Sequence, residues 1–396
     1  MALRTFEGVP LEGLKVLVRV DFNVPMKNGK IKDDSRIIAH LETITALKNS
    51  GACVVLISHL GRPNGKADPA FSLRPVAEAL SIEYGIASGF VADCVGREVA
   101  SSVKAMRPRD VLLLENARFH PEEESNDPSF AKKLAEPFDC FVMDAFSASH
   151  RAHASTEGVT AWLPSYAGRV MEKEVSVLST VRENPTKPLV LVMGGAKVSD
   201  KIRIIKYMID RTDSILVGGA MAFPFLKALG KNIGSSFCEE GTEETALEIL
   251  EMAEKAGARI NLPVDVIVSD SIENSRNSTC VSLSSIPNNM MGLDIGPKTA
   301  EQFSVVISGA KTVLWNGPMG VFETPPFGSG TKTLGESVAK ATSKGTLSVL
   351  GGGDTAAAAK ALGFSDGISH ISTGGGATLE FFEGRDLPGI KPLETA

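Results

Sequence analysis

The sequence lacks most of the features that mark secreted, membrane-spanning or nucleic-acid-binding proteins. Its five cysteines form no CxxC pair, so we expect neither a zinc ribbon nor a disulfide framework. No apolar run is long enough to cross a bilayer, and the first residues lack the apolar core of a signal peptide, which predicts a cytoplasmic protein without membrane attachment. A net charge of −6 argues against nucleic acid as a partner, so any basic site is local.

Several common catalytic motifs are also absent. There is no GxxxxGK[ST] nucleotide loop, no HExxH zinc motif and no evident Ser-His-Asp arrangement or pair of catalytic carboxylates. His150 and His153 have the spacing of a metal-binding pair, but no third ligand accompanies them, and we expect no metal there. These absences are consistent with transfer of an acyl phosphate to a nucleotide diphosphate, which needs no general base because the attacking oxygen is already anionic.

The 396 residues exceed one comfortable core, which predicts two domains. Short apolar runs alternate with helical patterns in both halves, as in parallel sheets covered by helices. We predict an α/β fold of two Rossmann-like, three-layer domains with mainly parallel sheets, joined by a connecting helix and hinge. The expected boundaries are 1–169 for the first domain, 170–185 for the helix, 186–376 for the second domain and 377–396 for a tail.

In the first half, basic side chains follow several predicted strands. The strands are expected at residues 16–20, 53–57, 111–114 and 141–143. Ligands of parallel α/β sheets bind beyond the carboxyl ends of the strands. Histidines and arginines stand at or near those ends: His59, Arg62, Arg118, His150 and Arg151, with Arg19 and Arg36 nearby. Any one of them could be a solvated surface residue, but together they predict a pocket for a small, multiply anionic ligand.

In the second half, glycine turns follow predicted strands. The stretch LSVLGGGDTAAAA at residues 347–359 reads as strand, glycine turn and helix, a geometry that aims backbone N–H groups at a phosphate. A capped helix after a tight turn is the alternative reading. A second glycine turn spans residues 374–376, and Lys197 and Lys201 follow a strand at 189–193. Further strands of this alternating series are expected at 214–217, 264–268 and 312–315.

Eight motifs along the chain resemble, in order, those of the phosphoglycerate kinase family. They read VRVDFNVP, SHLGRP, ENARFHPEEE, DAF with HRAH, GGAKVSDK, LWNGPMGVFE, GGGDT and STGGGA, and the resemblance covers about residues 14–389. It implies a monomeric glycolytic enzyme that moves a phosphoryl group between 1,3-bisphosphoglycerate and ADP, giving 3-phosphoglycerate and ATP. It further implies direct in-line transfer, closure of the two domains and a tail that returns to the first domain.

The resemblance also implies the residues of both binding sites. Phosphoglycerate would be held by Asp21, Phe22, Asn23, Arg36, His59, Leu60, Gly61, Arg62, Arg118, His150 and Arg151. ADP or ATP would be received by Lys201, Gly292, Asn316, Glu323, Gly352, Gly353, Asp354 and Thr355. Asp354 would hold the accompanying Mg²⁺, and Glu323 would face the ribose. The catalytic groups would be Arg36, Lys197 and the backbone N–H groups of Gly353 and Gly376.

One loop departs from the family's usual pattern. Where DAFGTAHR is common, this chain reads DAFSASHR, with Ser147 and Ser149 in place of Gly and Ala. Since glycine permits conformations that serine does not, the loop's backbone freedom comes into question. His150 and Arg151 are retained, and we expect activity to survive.

Two other functions remain as alternatives. Gly351, Gly353 and Ala356 satisfy a relaxed GxGxxA after a strand, as in NAD-dependent dehydrogenases, but the acidic residue expected about twenty positions later is missing. A non-catalytic nucleotide-binding or interaction protein could also use such a fold. The presence of every matched charged residue weighs against that alternative.

Overall fold

The computed structural model describes residues 1–27, 29–196, 199 and 201–395. The chain divides into two compact units, and each contains a six-stranded parallel sheet. The first unit comprises Met1–Ser176 and the residues from Asp386 onward, and the second comprises Val177–Arg385. The predicted α/β class with mainly parallel sheets is confirmed.

The first unit places its functional loops at one edge of a parallel sheet. The strands are β1 (Lys15–Arg19), β2 (Met26–Lys27), β3 (Lys30–Ile31), β4 (Cys53–Ile57), β5 (Ser88–Val91), β6 (Val111–Leu114), β7 (Cys140–Met143) and β8 (Ser165–Ala167). The sheet order is β5-β6-β4-β1-β7-β8, and β2 and β3 pair separately and antiparallel. Every residue of β4, β6 and β7 is buried, which explains their continuous apolar runs. Asn28 lies outside the described residues.

Six α-helices begin in the described part of the first unit. They are α1 (Ser35–Asn49), α2 (Arg74–Ile82), α3 (Arg97–Ala105), α4 (Pro121–Glu124), α5 (Pro128–Ala135) and α6 (Arg169–Glu183). The start of α5 shows why the sequence folds this way: Asp127 accepts a hydrogen bond from the Phe130 amide, and Pro128 occupies the first turn. The division between the two units falls inside α6, after Ser176.

The core of the first unit lies between the sheet and its helices. Val18 on β1 and Leu56 on β4 pack in one cluster with Ile37 and Ile44 of α1. The cluster anchors α1, whose first turn carries Arg36, against the strands that end at the basic edge. Burying four such side chains contributes on the order of 6–12 kcal/mol before conformational entropy is subtracted.

The second unit holds two sheets. Its strands are β9 (Leu189–Met193), β10 (Ser214–Val217), β11 (Arg259–Asn261), β12 (Asp265–Ser269), β13 (Thr279–Ser282), β14 (Met291–Ile295), β15 (Thr312–Asn316), β16 (Leu347–Gly351) and β17 (His370–Ile371). The parallel sheet has the order β11-β10-β9-β15-β16-β17, and β12 forms a separate antiparallel sheet between β13 and β14. The helices are α7 (Ile202–Met208), α8 (Ala222–Ala228), α9 (Thr242–Ala256), α10 (Pro297–Ser308), α11 (Ser329–Thr342), α12 (Gly353–Leu362) and α13 (Gly376–Phe382).

One strand of the second unit differs from the sequence prediction in the sheet that it joins. The strand expected at 264–268 belongs to the antiparallel sheet and not to the alternating parallel series. Its partner Thr279–Ser282 is exposed and lacks the apolar run that identified the other strands. The helix after β9 begins at Ile202, with Lys201 at its N-cap.

An aromatic pair anchors the core of the second unit. Trp315 of β15 is fully buried, and its ring stacks on Phe364 with centroids 5.6 Å apart. Its indole N–H donates to the carbonyl of Gly317 at 2.7 Å. The same side chain therefore packs the core and fixes the first turn of the loop beyond β15.

The end of the chain contributes to both units. The expected tail at 377–396 is divided, since residues 377–385 belong to the second unit and the segment from Asp386 onward to the first. In that segment the Gly389 amide donates to the carbonyl of Ser149, and the Arg4 amide donates to that of Leu393. Among the described residues, no helix combines the length and apolar character needed to cross a bilayer.

Candidate active site

The basic loops of the first unit meet at one edge of the sheet. Arg19, the last residue of β1, is in register with Ile57 of β4 and with Met143 of β7. Leu56 of β4 is in register with Leu113 of β6. Because all these strands are parallel, the segments 20–24, 58–62, 115–118 and 144–151 leave the sheet on the same side.

Asp21 is the centre of the hydrogen bonds at this edge. Its carboxylate pairs with Arg36 at 2.6 Å and accepts hydrogen bonds from the Asn23 amide and the Ser147 hydroxyl. Burial would raise the pKa of Asp21, but Arg36, Ser147 and the Asn23 amide outweigh it and hold that pKa at about 2. The pair fixes Arg36 at the site, and its guanidinium still has donors left, since arginine carries five.

Arg19 sets the protonation state of His59. Arg19 is 1% exposed, and one of its terminal nitrogens lies 3.0 Å from Nδ1 of the buried His59. A guanidinium only donates, so Nδ1 accepts and the ring proton sits on Nε2. Burial, followed by the charge of Arg19, lowers the pKa of His59 well below its ordinary value. His59 is therefore a neutral N–H donor at neutral pH.

The charge of Arg19 is balanced within the same network. Its Nε donates to the Ser155 hydroxyl at 2.9 Å. Ser155 in turn donates its hydroxyl and its amide to the fully buried carboxylate of Glu123. Sequence reasoning missed Glu123 as a partner. Arg19 did carry a signal in the sequence, because it interrupts the otherwise apolar run at residues 16–20.

A second buried series of hydrogen bonds positions the backbone of Asp21. The Asp21 amide donates to Nε2 of His40, so the His40 proton sits on Nδ1 and is shared with Asp144 at 2.7 Å. The other carboxylate oxygen of Asp144 accepts the amide of Val170 at the start of α6. His40 was not predicted as a site residue, and its burial on α1 gives it a positioning role.

Three of the predicted arginines gather positive charge at this edge, and only one of them has a carboxylate partner in the described part of the chain. Arg62 and Arg151 are exposed, and the described residues offer neither of them a carboxylate partner. Arg118 donates to the Gly61 carbonyl at 2.9 Å and pairs with Glu124 at 3.1 Å. Burial lowers the pKa of Arg118, and the charges of Arg151 and Arg62 lower it further. Like charges held this close favour an anion between them.

The remaining predicted residues of this edge act through their backbone or are held by it. The side chains of Phe22 and Leu60 are buried in the core, so only their main-chain groups can face a ligand. The Gly61 amide donates to Oδ1 of Asn23, which leaves the Asn23 amino group as a donor. Gly61 itself is required because its φ is +62° and a Cβ would lie 2.3 Å from the ring of Phe71.

In the DAFSASHR loop, the backbone at Ser147 and Ser149 does not require glycine. Neither Ser147 nor Ser149 has a positive φ, so serine fits the backbone without strain. The Ser149 hydroxyl donates to the Phe146 carbonyl, and the Ser147 hydroxyl donates to Asp21. His150, which follows, is partly buried, and its neighbour Arg151 is exposed. Replacing glycine and alanine by these serines therefore strains the loop backbone at neither position, and Ser147 adds a hydrogen bond to Asp21.

The second unit presents glycine loops at the matching edge of its own parallel sheet. Met193 of β9 is in register with Asn316 of β15, and Asn316 with Gly351 of β16. Gly194 and Gly317 pack so tightly that a Cβ on Gly317 would lie 2.3 Å from the Gly194 carbonyl oxygen. Gly317 also has a φ of +90°, so only glycine fits.

Asn316 and Thr355 brace the loop that carries Gly352. The Asn316 amino group donates to the Gly351 carbonyl at 2.8 Å, and Thr355 bonds to Gly351 and to the Gly317 amide. The carbonyl oxygen of the Asn316 side chain is buried and has no hydrogen-bond partner among the described residues. A buried, unused acceptor of this kind suits a ligand donor or a cation.

Two helix starts aim their N–H groups out of this edge. Gly353 begins α12 and Gly376 begins α13, and both residues are exposed. Asp354 is exposed in the first turn of α12. With the Asn316 oxygen, its carboxylate offers the oxygen ligands that Mg²⁺ prefers, so the donor set fits that metal. Free N–H groups beside it suit phosphate.

The other predicted nucleotide residues lie on neighbouring loops. Nζ of Lys201 would be 3.0 Å from a Cβ on Gly195, so its ammonium lies against that glycine turn, and Glu323 is exposed beyond β15. Gly292 lies on β14, and a Cβ there would be 2.3 Å from the Phe223 ring. Lys197 lies outside the described residues, so its predicted role stays a prediction.

Asp294 is a buried carboxyl that the sequence did not single out. It accepts hydrogen bonds from the amides of Gly330 and Ile295, at 2.7 and 2.9 Å. It also crowds Gly320, where a Cβ would lie 2.4 Å from its oxygen. Burial raises the pKa of Asp294 to about 8. Its place between the start of α11 and the loop at 317–323 gives it a positioning role.

Comparison with known proteins agrees with this geometry over almost the whole chain. Residues 6–385 match the family model described as phosphoglycerate kinase. The chain is 51% identical over 390 residues to a phosphoglycerate kinase of Thermosipho africanus, covering 98% of this chain and 97% of that protein. It is 48% identical over 397 residues to one of Chloroherpeton thalassium, with both chains fully covered.

Solved structures show the same similarity. The structure of phosphoglycerate kinase from Coxiella burnetii matches with a TM-score of 0.91 at 42% identity, covering 99% of each chain. The one from Pyrococcus horikoshii matches with a TM-score of 0.82 at 33% identity, covering 99% of this chain and 98% of that one.

Proposed function

This chain belongs to the phosphoglycerate kinase family, and we propose that its first unit binds the phosphoglycerate and its second unit the nucleotide. Family membership makes the chain a phosphotransferase. The reaction transfers the acyl phosphoryl group of 1,3-bisphosphoglycerate to ADP, giving 3-phosphoglycerate and ATP. Neither the dehydrogenase nor the non-catalytic alternative has support in the comparisons.

One observation carries the assignment of the first unit. Arg62 and Arg151 lie close enough to Arg118 for their charges to lower its pKa, and neither has a carboxylate partner among the described residues. The neutral N–H donor His59 lies within the field of Arg118 in turn. Guanidinium groups match phosphate and carboxylate oxygens in pairs, and both groups are present in phosphoglycerate. The proposed substrate set therefore combines Asn23, His59, Arg36, Arg62, Arg118 and Arg151 with the backbone near Phe22, Leu60 and Gly61, and His150 nearby.

In phosphoryl transfer, the protein itself takes little part in bond making or breaking. The bond between phosphorus and the acyl oxygen breaks, and a bond to the terminal phosphate oxygen of ADP forms. The attacking oxygen is already anionic and the leaving group is a carboxylate, so no general base is needed. The protein must align the groups and neutralise their charge, and we assign this to Arg36, Lys197 and the N–H groups of Gly353 and Gly376.

The nucleotide residues are proposed from the glycine edge of the second unit. The N–H groups at Gly352 and Gly353 would meet phosphate, with Lys201 and Thr355 beside them and with Gly292 and Glu323 toward the nucleoside. Asp354 and the Asn316 oxygen would hold Mg²⁺, which neutralises phosphate charge when bound.

Transfer requires the two ligands to come into contact, and we therefore propose that the units close when both are bound. Closure would also exclude water and so limit hydrolysis. Small-angle scattering tests this, since an unchanged radius of gyration with both ligands bound would contradict it. We also propose a monomeric, cytoplasmic enzyme, and light scattering behind a sizing column checks the first of these.

The test of the proposed nucleotide site is ATP formation from 1,3-bisphosphoglycerate and Mg·ADP, with wild type compared to Asp354→Ala. We expect turnover to fall by about 100-fold or more, since the change removes a ligand of the charge-neutralising metal. Asp366→Ala, another exposed aspartate of the second unit, is the matched control. Calorimetry should show weaker binding of Mg·ADP and little change for metal-free ADP.

Each other outcome has a definite meaning. Full activity in Asp354→Ala would remove Asp354 from the metal site. An Asp366→Ala variant that loses as much activity would show that the effect is not specific. A folded wild type that binds Mg·ADP but forms no ATP would contradict the assigned activity.

A further inference from the structure

We propose that Asp93, Cys94 and His120 form a binding site for a divalent cation of the zinc class. One ligand atom of each residue, a carboxylate oxygen, the thiol sulfur and an imidazole nitrogen, lies within 4.8 Å of the others. None of the three belongs to the proposed substrate or nucleotide sites, so the inference is independent of them.

The fold brings these residues together from two neighbouring strands. Asp93 and Cys94 follow β5, and His120 follows the short helical turn Ala117–Phe119 beyond β6. Val91 of β5 is in register with Leu114 of β6, and both strands end at the same edge of the sheet. No sequence motif links the two segments, which explains why the sequence did not indicate the site.

The chemistry of the three donors suits zinc better than magnesium. Thiolate, imidazole and carboxylate are the three protein ligands that Zn²⁺ takes, whereas Mg²⁺ prefers oxygen alone. Cys94 is 1% exposed and forms the floor, while the side chains of Asp93 and His120 are 43% and 30% exposed. An ion can therefore enter from solvent, and a fourth position stays open for water.

The present geometry is close to what the ion requires. Zinc bonds of 2.0–2.3 Å place tetrahedral donors roughly 3.3–3.8 Å apart. Nε2 of His120 now lies 2.8 Å from Oδ1 of Asp93, so the ion would replace this contact after small rotations of two half-exposed side chains. Nε2 would bind the ion as part of a neutral ring whose proton sits on Nδ1, and the thiol proton of Cys94 would leave to solvent.

The surroundings of the thiol favour a cation. The carboxylates of Asp93, Glu123 and Glu115 all act electrostatically on the Cys94 sulfur. Their negative field disfavours a lone thiolate but stabilises a metal–thiolate pair. The ring of His120 is held against Phe130, with centroids 5.1 Å apart, which limits the entropy lost on binding.

The experiment titrates metal- and nucleotide-free, untagged protein with Zn²⁺ by calorimetry and with Co²⁺ by absorption spectroscopy. We expect about one ion per chain and a thiolate-to-cobalt charge-transfer band. Cys94→Ser should weaken zinc binding at least tenfold and abolish the band. His120→Phe keeps the ring against Phe130 but removes the nitrogen, and it should weaken binding to a similar extent.

The matched control is Cys280→Ser. Its exposed thiol lies 3.5 Å from a carboxylate oxygen of Asp265 and has no histidine beside it in the described part of the chain. Zinc should also raise the thermal midpoint of wild type and Cys280→Ser, but not of Cys94→Ser. The proposal is overturned if wild type binds no zinc, if Cys280→Ser removes the binding, or if either Cys94→Ser or His120→Phe leaves it intact.

Discussion

In the first unit, the carboxyl edge of the sheet is built from side chains that already bind one another, as Asp21 binds Arg36 and Ser147. In the second unit, the corresponding edge is built from glycines, with Gly317 and Gly352 in conformations that other residues rarely adopt. One edge thus offers positioned charge and the other offers bare backbone. On the proposed assignment, the charged edge would supply counter-charges for the two anionic ends of phosphoglycerate, and the glycine edge would meet the nucleotide phosphates with N–H groups and a metal.

The largest effect on turnover is expected from a substitution at the charged edge of the first unit. We expect Arg36→Ala to lower turnover by about 10²–10³-fold, because one charge-stabilising donor is removed. Binding of Mg·ADP should stay within about twofold, since the nucleotide is assigned to the other unit. Calorimetry and steady-state rates measure both.

Arg36→Lys tests whether the fork geometry matters, since it keeps the charge alone. Arg74→Ala is the matched control, an arginine of the same unit that lies over the Phe90 ring. Equal losses in turnover and nucleotide affinity for Arg36→Ala would contradict its role in charge stabilisation.

The second prediction contrasts two buried aspartates by the pH dependence of stability. The folded state holds the pKa of Asp294 at about 8, above its ordinary 3.8, so between these values only the folded state keeps the proton. Stability of the second unit should therefore fall as pH rises, with a slope of at most about 1.4 kcal/mol per pH unit. Asp21, with a pKa near 2, acts oppositely: it stabilises above pH 3.8, and the effect is lost as pH falls through 2.

Urea unfolding at several pH values measures these slopes. The chain has two tryptophans, Trp162 in the first unit and Trp315 in the second, so Trp162→Phe leaves a reporter for the second unit. Asp294→Asn should flatten the slope between pH 4 and 8. A slope that persists in this variant would show that another group causes it.

The third prediction tests the bare backbone of the second edge. In Gly352→Ala, the φ of +91° and a Cβ 2.7 Å from the Asn316 amino group should cost about 1–2 kcal/mol of stability. Nucleotide affinity should fall about tenfold, since the loop moves. Thermal unfolding and calorimetry with Mg·ADP measure the two effects.

Gly353→Ala is the paired variant, because a Cβ there meets nothing within 4 Å and the φ is not positive. Its stability should be unchanged or higher by up to about 1 kcal/mol. A loss of nucleotide affinity without a loss of stability would indicate that phosphate approaches the backbone at Gly353. Unchanged affinity would contradict that assignment.

The smallest expected effect concerns the variant loop. Ser147→Ala removes one donor from Asp21, so the pKa of Asp21 should rise from about 2, and the acid limb of the activity profile should move to higher pH. At pH 7 the carboxylate stays ionised, and the KM for phosphoglycerate should rise only a few-fold. Ser149→Ala is the control, since its hydroxyl bonds to backbone instead. An unchanged acid limb would show that Ser147 does not act through Asp21.

Some features of the fold and of the two edges could be predicted from the sequence, and others could not. Strands such as Cys53–Ile57 and Leu189–Met193 were predicted with their observed bounds, because a continuous apolar run is a local signal. The antiparallel sheet was missed because Thr279–Ser282 is exposed and carries no such run. Charged residues at strand ends indicated the first edge, and glycine turns indicated the second. Neither signal indicated the buried partners Glu123, His40 and Asp294, which look like ordinary polar residues in sequence.

The fold class, the buried parallel strands, the family motifs and the separation of basic and glycine-rich halves could all be predicted from the amino-acid sequence alone. Those properties depend on local periodicity and composition, which a chain carries before it folds. Three other properties could be recognised only in the folded structure. They are the proton position on His59, the opposite pKa shifts of Asp21 and Asp294, and the proximity of Asp93, Cys94 and His120. Each of these depends on burial and on contacts between residues that lie far apart along the chain.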